Sequence, residues 1–351
     1  MNNIQLTQKL GQQIWLDNLS RSLLNSKRLK QFVEVGVTGI TTNPSIFSQA
    51  IENDVAYEKS IEQLHKQNLA AKDIYEILAI QDVQDACDEL SKLYQTSQFQ
   101  YGYVSMELDP RLANEYDASI KEAHRLWQNV NRPNLMLKVP ATPVGIQICE
   151  NLIACGMNVN VTLIFSLQQA RQIYEAYYEG LKNRVKASQA IDSVRAVASF
   201  FVSRIDTALD LTLPSQLQGQ VAIALAKQAY QEWLAFFNAE KTDWITAHRG
   251  TPLWLLWAST GTKNPQYSNV LYVDSLIGKN TVNTLPEKTL THFLDHGQPT
   301  LCLEENAEQA GQILKKIQSL DISLEKLAIR LQQDGILQFE AAFQKILNYL
   351  G

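Results

Sequence analysis

The stretch Asn134-Leu-Met-Leu-Lys-Val-Pro-Ala-Thr142 is a short apolar run that contains one lysine, Lys138. Its length and composition predict a buried strand, in which successive side chains point to opposite faces. The leucines and the valine would pack on helices, whereas Met136 and Lys138 would face the other side. A buried parallel strand rarely carries a lysine, because burying an ammonium group is costly. Two interpretations of Lys138 follow. Either its amine extends from the strand end to solvent or to a carboxylate partner, or it is a nucleophile that condenses with a carbonyl compound.

Strand-like and helical runs alternate about eight times along the chain, with no linker between them. This order predicts an α/β fold, a (β/α)₈ barrel with additional N- and C-terminal helices. We expect a single domain over residues 1–351, with a helical C-terminal tail from about residue 303. The main alternative is a doubly wound sheet, which would need a glycine-rich first turn. Neither Gly-x-Gly-x-x-Gly nor Gly-x-x-x-x-Gly-Lys-Ser/Thr occurs, so the barrel is favoured.

Three segments give more specific predictions. Residues 157–164 alternate strictly between polar and apolar types, as expected of a strand whose polar face lines a barrel interior. Residues 211–246 are predicted to be helical. Residues 307–350 are predicted to form amphipathic helices with breaks near residues 321–323 and at Gly335.

Composition excludes several classes of protein. The chain is 45% hydrophobic and 19% charged, with a net charge of −5 and a pI of about 5.6. These values are typical of soluble globular proteins and argue against binding to nucleic acid or to a membrane surface. No apolar run approaches the ~20 residues of a membrane span, and no signal peptide is evident. We expect a cytoplasmic protein, and a homo-oligomer is compatible with the sequence.

The cysteines and histidines offer no metal site. Cys87, Cys149, Cys155 and Cys302 are scattered without a Cys-x-x-Cys pair, which indicates reduced thiols. All five histidines lie outside the strand-like runs, which weakens both a histidine metal site and a Ser-His-Asp triad. We expect no metal and no cofactor, and acid–base chemistry that depends on carboxylates and lysine.

In a (β/α)₈ barrel, catalytic groups lie at the C-terminal ends of the strands. Each polar residue found there has an ordinary structural explanation when it is taken alone, such as a helix cap, a turn or a surface ion pair. Their common location at one mouth is harder to explain in that way. The candidate site residues are Asp17, Asn43, Glu107, Lys138, Asn160, Thr162, Ser199, Arg204, Ser259 and Lys263.

These residue types suit Schiff-base chemistry. A lysine amine is a nucleophile only in its neutral form, and burial favours that form of an amine. Condensation of Lys138 with a ketone gives an iminium, which withdraws electrons and weakens the adjacent C–C bond. Asp17 can take the hydroxyl proton as this bond breaks, and Glu107 can transfer protons through water as the imine forms and hydrolyses.

The remaining candidates divide into two groups. Three are suited to hold substrate hydroxyls: Asn43, Asn160 and Thr162. Four provide the hydroxyls and cations that bind a phosphate without a metal: Ser199, Arg204, Ser259 and Lys263.

Five ordered motifs resemble the transaldolases of the pentose phosphate pathway. They are Ile40-Thr-Thr-Asn-Pro-Ser45, Ser105-Met-Glu-Leu-Asp-Pro-Arg-Leu112, Leu137-Lys-Val-Pro-Ala-Thr142, Asn158-Val-Asn-Val-Thr-Leu-Ile-Phe-Ser166 and Ser199-Phe-Phe-Val-Ser-Arg204. The chain length, the Ile14-Trp-Leu-Asp17 opening and the helical tail resemble the longer bacterial form. The resemblance extends from about Trp15 to the C-terminus, and the five motifs together make it specific.

The resemblance implies a barrel that works without a cofactor on sugar phosphates. Lys138 matches the Schiff-base lysine of the family, Asp17 its acid–base residue and Glu107 its water-activating carboxylate. Asn43, Asn160 and Thr162 match polar residues of the active site, and Ser199 with Arg204 matches a Ser-x-x-x-x-Arg pair at the phosphate. The implied reaction transfers a dihydroxyacetone unit from sedoheptulose 7-phosphate to glyceraldehyde 3-phosphate, which gives erythrose 4-phosphate and fructose 6-phosphate.

One motif departs from the family pattern, and two other functions stay open. Shorter relatives have Ser-x-Arg after the seventh strand, whereas this chain has Ser259-Thr-Gly-Thr-Lys263. A lysine binds phosphate as a point charge rather than as a fork. A fructose 6-phosphate aldolase shares the lysine chemistry but releases free dihydroxyacetone; in the family pattern, a glutamate at the position of Glu107 indicates the transferase. A non-catalytic barrel that binds sugar phosphates would not need the lysine and both carboxylates.

Overall fold

The computed structural model describes all residues from Met1 to Gly351 and contains a closed barrel of eight strands. Each strand pairs in parallel with its neighbours, and β8 closes the barrel on β1. The predicted (β/α)₈ barrel is therefore confirmed. The strands are β1 Gln12–Asp17, β2 Gly39–Thr41, β3 Tyr103–Glu107, β4 Leu135–Pro140, β5 Val159–Ile164, β6 Ala196–Phe201, β7 Trp254–Ala258 and β8 Thr281–Leu285.

Sixteen α-helices surround the barrel and cover its ends, and none is both long and apolar enough to cross a membrane. The helices are α1 Asn3–Lys9, α2 Arg21–Asn25, α3 Arg28–Val35, α4 Pro44–Asn53, α5 Glu58–His65, α6 Ala71–Thr96, α7 Tyr116–Val130, α8 Pro143–Ala154, α9 Leu167–Lys186, α10 Ser203–Leu209, α11 Val221–Phe236, α12 Ala239–Ala247, α13 Leu271–Asp274, α14 Glu287–His296, α15 Ala307–Ser319 and α16 Leu324–Leu350. Four short 3₁₀ segments add to them: Val55–Tyr57, Pro110–Leu112, Asp210–Thr212 and Ser215–Leu217.

Polar caps start helices within two residues of several strand ends. Asn43 caps α4, Thr142 caps α8 and Ser166 caps α9, in each case by accepting a hydrogen bond from a backbone N–H of the first turn. In α4 and α8 a proline occupies the first helical position, where its missing N–H costs nothing. The chain therefore turns sharply from strand into helix at the C-terminal ends of β2, β4 and β5.

The prediction of one continuous helix over residues 211–246 is wrong. Two 3₁₀ segments flank Pro214, which cannot continue a helix, and α11 begins only at Val221. Helix α11 ends at Phe236. Asn238 then caps the start of α12, because its side chain accepts a hydrogen bond from the Lys241 N–H. Within α11 the apolar residues buried in the hydrophobic core include Ala222, Leu225, Ala226, Ala229 and Trp233.

The break predicted at Gly335 is also wrong, because α16 runs without interruption through this position. A Cβ atom on Gly335 would lie 2.8 Å from Cδ2 of Leu163 and 3.4 Å from Nη1 of Arg204. The glycine therefore allows α16 to approach the barrel closely and does not end the helix. The break predicted near residues 321–323 is present, since α15 ends at Ser319 and Ser323 caps α16.

At a second position, Gly39 in β2, the packing of Trp15 in β1 leaves space only for glycine. A Cβ atom on Gly39 would lie 2.5 Å from Cε2 of Trp15, whose indole is buried. We predict that Gly39→Ala lowers the free energy of unfolding by about 1–3 kcal/mol, because a packed core has no room for the added methyl group. Urea denaturation measures this loss.

Gly311→Ala is the matched control, since a Cβ atom there would lie 3.8 Å from the nearest side-chain atom. In the interior of α15 this alanine should leave stability unchanged or raise it by up to ~1 kcal/mol. Equal urea midpoints for Gly39→Ala and the wild-type protein would contradict the packing described for β1 and β2.

Candidate active site

Lys138 lies in β4 with its amine inside the mouth of the barrel. Its Nζ donates a hydrogen bond to the Thr42 carbonyl oxygen at 2.8 Å and lies 3.4 Å from Oε2 of Glu107. The side chains of Lys138 and Glu107 are only 5% and 7% exposed. Lys138 therefore does not extend into open solvent, and its carboxylate partner is Glu107, the residue paired with it in the register of β3 and β4.

Asp17 is the last residue of β1 and lines the same cavity as Lys138. Thr41 Oγ1 donates a hydrogen bond of 2.7 Å to Asp17 Oδ1, and Thr41 also bonds Thr284 at 2.6 Å. Burial raises the pKa of Asp17 above its ordinary value, whereas the charge of Lys138 and the hydrogen bond from Thr41 act to lower it. A carboxyl group in this state is suited both to accept and to return a proton.

Glu107 is the second carboxyl group of the site whose pKa is raised. Burial raises the pKa of Glu107, the charge and hydrogen bond of Lys138 oppose this rise, and the charge of Asp17 adds to it. Its Oε2 atom is buried, and the nearest charged group is the Lys138 amine at 3.4 Å. Two carboxyl groups with raised pKa values beside one buried lysine are typical of a catalytic site.

Hydrogen-bonded polar side chains of β3, β5 and β6 lie inside the barrel beside Lys138. Ser199 Oγ donates to Asn160 Oδ1 at 2.7 Å, and Asn160 Nδ2 donates to Ser105 Oγ at 3.0 Å. These bonds fix the orientation of the Asn160 amide. Thr162 is different, because its Oγ1 atom is fully buried and has no hydrogen-bond partner in the protein.

The part of the cavity formed by α10 and the loop after β7 carries two cations, Arg204 and Lys263. Arg204, in the first turn of α10, lies 5.4 Å above the Phe201 ring and forms neither an ion pair nor a hydrogen bond with the protein. Burial lowers the pKa of Arg204, and Asp334 acts in the opposite sense. Lys263 is exposed in the loop after β7. Ser259, which begins this loop with a φ of 55°, lies with its Oγ 3.0 Å from that of Ser203.

Eight of the ten predicted site residues line one cavity of about 180 Å³: Asp17, Asn43, Lys138, Thr162, Ser199, Arg204, Ser259 and Lys263. Glu107 and Asn160 lie directly behind it, Glu107 against Lys138 and Asn160 against Ser199. No three His, Cys, Asp or Glu side chains are grouped closely enough anywhere in the chain to hold a metal ion.

Comparison with known proteins agrees with this geometry. A family model described as transaldolase/fructose-6-phosphate aldolase matches residues 14–350. The chain belongs to this family. It is 48% identical to a transaldolase of Neisseria gonorrhoeae, with 96% of each chain covered, and 44% identical to a transaldolase of Thiobacillus denitrificans over the whole of both chains. It is also 40% identical to transaldolase 2 of a Nostoc species, with 100% of this chain and 97% of the relative covered. The resemblance inferred from the five motifs is confirmed.

The cavity of this family member also contains residues that the sequence did not single out. Thr41 and Thr284 lie at strand ends, so the rule that selected Asp17 would have found them. Phe339 comes from α16, and its ring centroid lies 5.9 Å from Lys138 Nζ. Gln332, about two turns earlier in α16, donates hydrogen bonds to the carbonyl oxygens of Ala141 and Leu163. The C-terminal helix therefore forms part of the wall around the lysine.

Because the Thr162 hydroxyl has no partner in the protein, its removal should change both stability and activity. A buried hydroxyl without a partner destabilises a protein, so Thr162→Val should raise the free energy of unfolding by about 0.5–2 kcal/mol. The same change should lower kcat/KM for the sugar-phosphate donor, because the hydroxyl is then missing from the cavity. Thermal unfolding and steady-state kinetics measure the two effects.

Thr281→Val is the matched control. Thr281 is also buried, but its Oγ1 donates to the Gly278 carbonyl oxygen and accepts from Gln12. This substitution should destabilise the protein and leave KM unchanged. A Thr162→Val protein that is less stable and fully active would show that the hydroxyl serves the fold and not a ligand.

Proposed function

We propose that this chain is a transaldolase that transfers a dihydroxyacetone unit from sedoheptulose 7-phosphate to glyceraldehyde 3-phosphate through a Schiff base on Lys138. The products are erythrose 4-phosphate and fructose 6-phosphate. The observation that carries this proposal is the buried Lys138 amine between two carboxyl groups with raised pKa values, in a cavity that also holds two unpaired cations. The relatives named transaldolase, which cover nearly the whole chain, support the same function.

The first step is condensation of the Lys138 amine with the C2 carbonyl group of the ketose. Lys138 must first lose a proton, and Glu107 is suited to accept it because its Oε2 atom lies 3.4 Å away. The amine then attacks C2 to give a carbinolamine. Proton return from Glu107 allows this intermediate to lose water and form the iminium, and no metal is needed to polarise the carbonyl group.

Cleavage of the C3–C4 bond follows. Asp17 removes the proton from the C4 hydroxyl group, C4 becomes the aldehyde of the leaving aldose, and the bonding electrons pass into the iminium to give an enamine. The hydrogen bond from Thr41 orients the Asp17 carboxylate for this transfer. Because the enamine stays attached to Lys138, the three-carbon unit is retained until an acceptor arrives.

Transfer reverses these steps on a different aldehyde. The enamine carbon attacks the acceptor carbonyl group, and Asp17 gives its proton to the new C4 oxygen. Hydrolysis of the resulting iminium then frees the new ketose, with Glu107 activating the water. Asn43 can assist by binding a substrate hydroxyl, since its Oδ1 atom already accepts from the Ile46 N–H and its amide NH₂ group stays free to donate.

The phosphate group belongs in the part of the cavity lined by Arg204 and Lys263. Arg204 can donate two parallel hydrogen bonds to phosphate oxygens, and Lys263 adds a second positive charge. Ser199 of β6 and Ser259, the first residue after β7, also line this cavity and add hydroxyl groups. We also propose a cytoplasmic location, which four free cysteines favour.

A fructose 6-phosphate aldolase is the second candidate, because the family description includes both activities. The two differ in the fate of the enamine, which an aldolase protonates and releases as dihydroxyacetone. Glu107 and the names of the relatives favour the transferase. A non-catalytic barrel is disfavoured, because a binding protein has no need of a buried lysine beside two carboxyl groups with raised pKa values.

We predict that turnover depends on an acceptor aldehyde. Fructose 6-phosphate alone should give at most one equivalent of glyceraldehyde 3-phosphate per active site and no free dihydroxyacetone, because the enamine stays on Lys138. Addition of erythrose 4-phosphate should start steady formation of sedoheptulose 7-phosphate. Product analysis by mass spectrometry measures all three compounds, and steady release of dihydroxyacetone without an acceptor would contradict the transferase assignment.

A further inference from the structure

Two tyrosine–aspartate pairs lie behind the cation-bearing end of the cavity. Asp206 is 1% exposed, and its Oδ2 atom accepts a hydrogen bond from the Tyr272 hydroxyl at 2.9 Å. Four residues later, Asp210 Oδ2 accepts from the Tyr267 hydroxyl at 2.7 Å. None of these four residues lines the catalytic cavity, so the proposed chemistry leaves them unused.

Both aspartates belong to the element that carries Arg204. Helix α10 contains Arg204 and Asp206, and Asp210 follows its last residue. At about 100° per residue, Asp206 and Asp210 lie roughly 200° and 240° around the helix axis from Arg204. Arg204 therefore faces the cavity, while the two aspartates face the opposite side.

Both tyrosines belong to the segment that carries Lys263. This segment, residues 259–274, leaves β7 at Ser259 and regains helical structure only in α13. Its start is tied to α10, since the Ser203 N–H donates to the Ser259 carbonyl oxygen at 3.0 Å. Tyr272 and Tyr267 tie its far end to Asp206 in α10 and to Asp210 directly after this helix. Lys263 lies between these two anchor points.

The other oxygen of each aspartate strengthens the connection. Asp206 Oδ1 accepts from the Ala222 N–H at 2.8 Å, and Asp210 Oδ1 accepts from the Gly219 N–H at 3.0 Å. Gly219 has a φ of +70°, and a Cβ atom there would lie 2.9 Å from Cζ of Tyr267. Three segments are thus joined: α10, the start of α11 and the loop after β7.

We propose that Tyr267 and Tyr272 are positioning residues for phosphate binding, which act through Asp210 and Asp206 to hold Lys263 at a fixed place relative to Arg204. This inference rests on the proposed binding of the substrate phosphate by these two cations. Lys263 is exposed and its side chain forms no hydrogen bond or ion pair, so the position of its charge depends on the backbone of the loop. A loop that is ordered before the ligand arrives loses less conformational entropy on binding.

The tyrosine hydroxyls are suited to this role at neutral pH. Burial and the neighbouring Asp210 carboxyl group raise the pKa of Tyr267 to about 12, and burial with Asp206 raises that of Tyr272 further. Both hydroxyls therefore stay protonated and donate. Replacement by phenylalanine removes only the donor and keeps the ring packing.

The test uses Tyr267→Phe and Tyr272→Phe in the full-length enzyme. Each should raise KM for fructose 6-phosphate by about 3- to 10-fold and leave kcat within about 2-fold, because ground-state binding is weakened and the chemistry is not. The inhibition constant of inorganic phosphate should rise by the same factor. A merely structural role would lower the melting temperature without moving this constant.

A double-mutant cycle shows whether the tyrosines act through Lys263. In a Lys263→Ala background, Tyr267→Phe and Tyr272→Phe should raise KM no further, since the charge that they position is already absent. Tyr177→Phe is the matched control: its hydroxyl donates to the Thr251 carbonyl oxygen at 2.6 Å, just before β7 at the opposite end of the barrel. This control should leave KM and phosphate inhibition unchanged.

The outcomes separate the two proposals. Unchanged KM and phosphate inhibition in both tyrosine variants, with a clear loss in Lys263→Ala, would overturn the positioning role alone. Equal KM effects in Tyr177→Phe, or full tyrosine effects in the Lys263→Ala background, would overturn it as well. If Arg204→Ala and Lys263→Ala both kept wild-type KM values, the proposed phosphate site itself would be wrong.

Discussion

The contact between Lys138 and Glu107 is the constraint on which the rest of the site depends. An ammonium group this deeply buried needs a nearby opposite charge, because desolvation without a partner costs several kcal/mol. The register of the barrel provides that charge: Glu107 of β3 pairs with Lys138 of β4, which in turn pairs with Asn160 of β5. A shift of one residue in either strand would turn the lysine away from its partners. Closure of the sheet therefore places the reactive groups, and the chemistry follows from the strand register.

The outer part of the cavity depends on different elements. Arg204, Ser259 and Lys263 lie beyond the strands, in α10 and in the loop after β7, so their positions depend on connections between loops. On the other side, α16 crosses the mouth, where Gln332 bonds the carbonyl groups at the ends of β4 and β5 and Phe339 lies beside the lysine. In the proposed mechanism the strands of the barrel hold the reacting groups, and the helices and loops around it bind the phosphorylated end of the sugar.

The alternation of strands and helices was enough to predict the barrel, and the rule that catalytic groups follow the strands selected Asp17, Glu107 and Lys138. Thr41 and Thr284 also lie at the C-terminal ends of strands, so the same rule could have predicted them from the sequence. Phe339 was not, because its place depends on a contact between α16 and β5; Gln332 and Leu163, which form this contact, are 169 residues apart in the sequence. The prediction of a helix break at Gly335 failed for a related reason. A glycine in a helical pattern ordinarily indicates an end, but here it allows the helix to approach Leu163 and Arg204. Roles of the individual site residues and the single-domain assignment stay predictions.

The most direct test is reduction of the protein with sodium borohydride in the presence of fructose 6-phosphate, followed by peptide mass spectrometry. Reduction converts an imine into a stable secondary amine, so the modified peptide identifies the lysine that reacted. A Schiff base at the mouth of the barrel predicts one adduct, on Lys138, with activity lost in proportion to its yield. A Lys138→Met protein, which keeps a side chain of similar length, should show no adduct. An adduct on another lysine of the wild-type protein, or none on the folded protein, would contradict the mechanism proposed for this site.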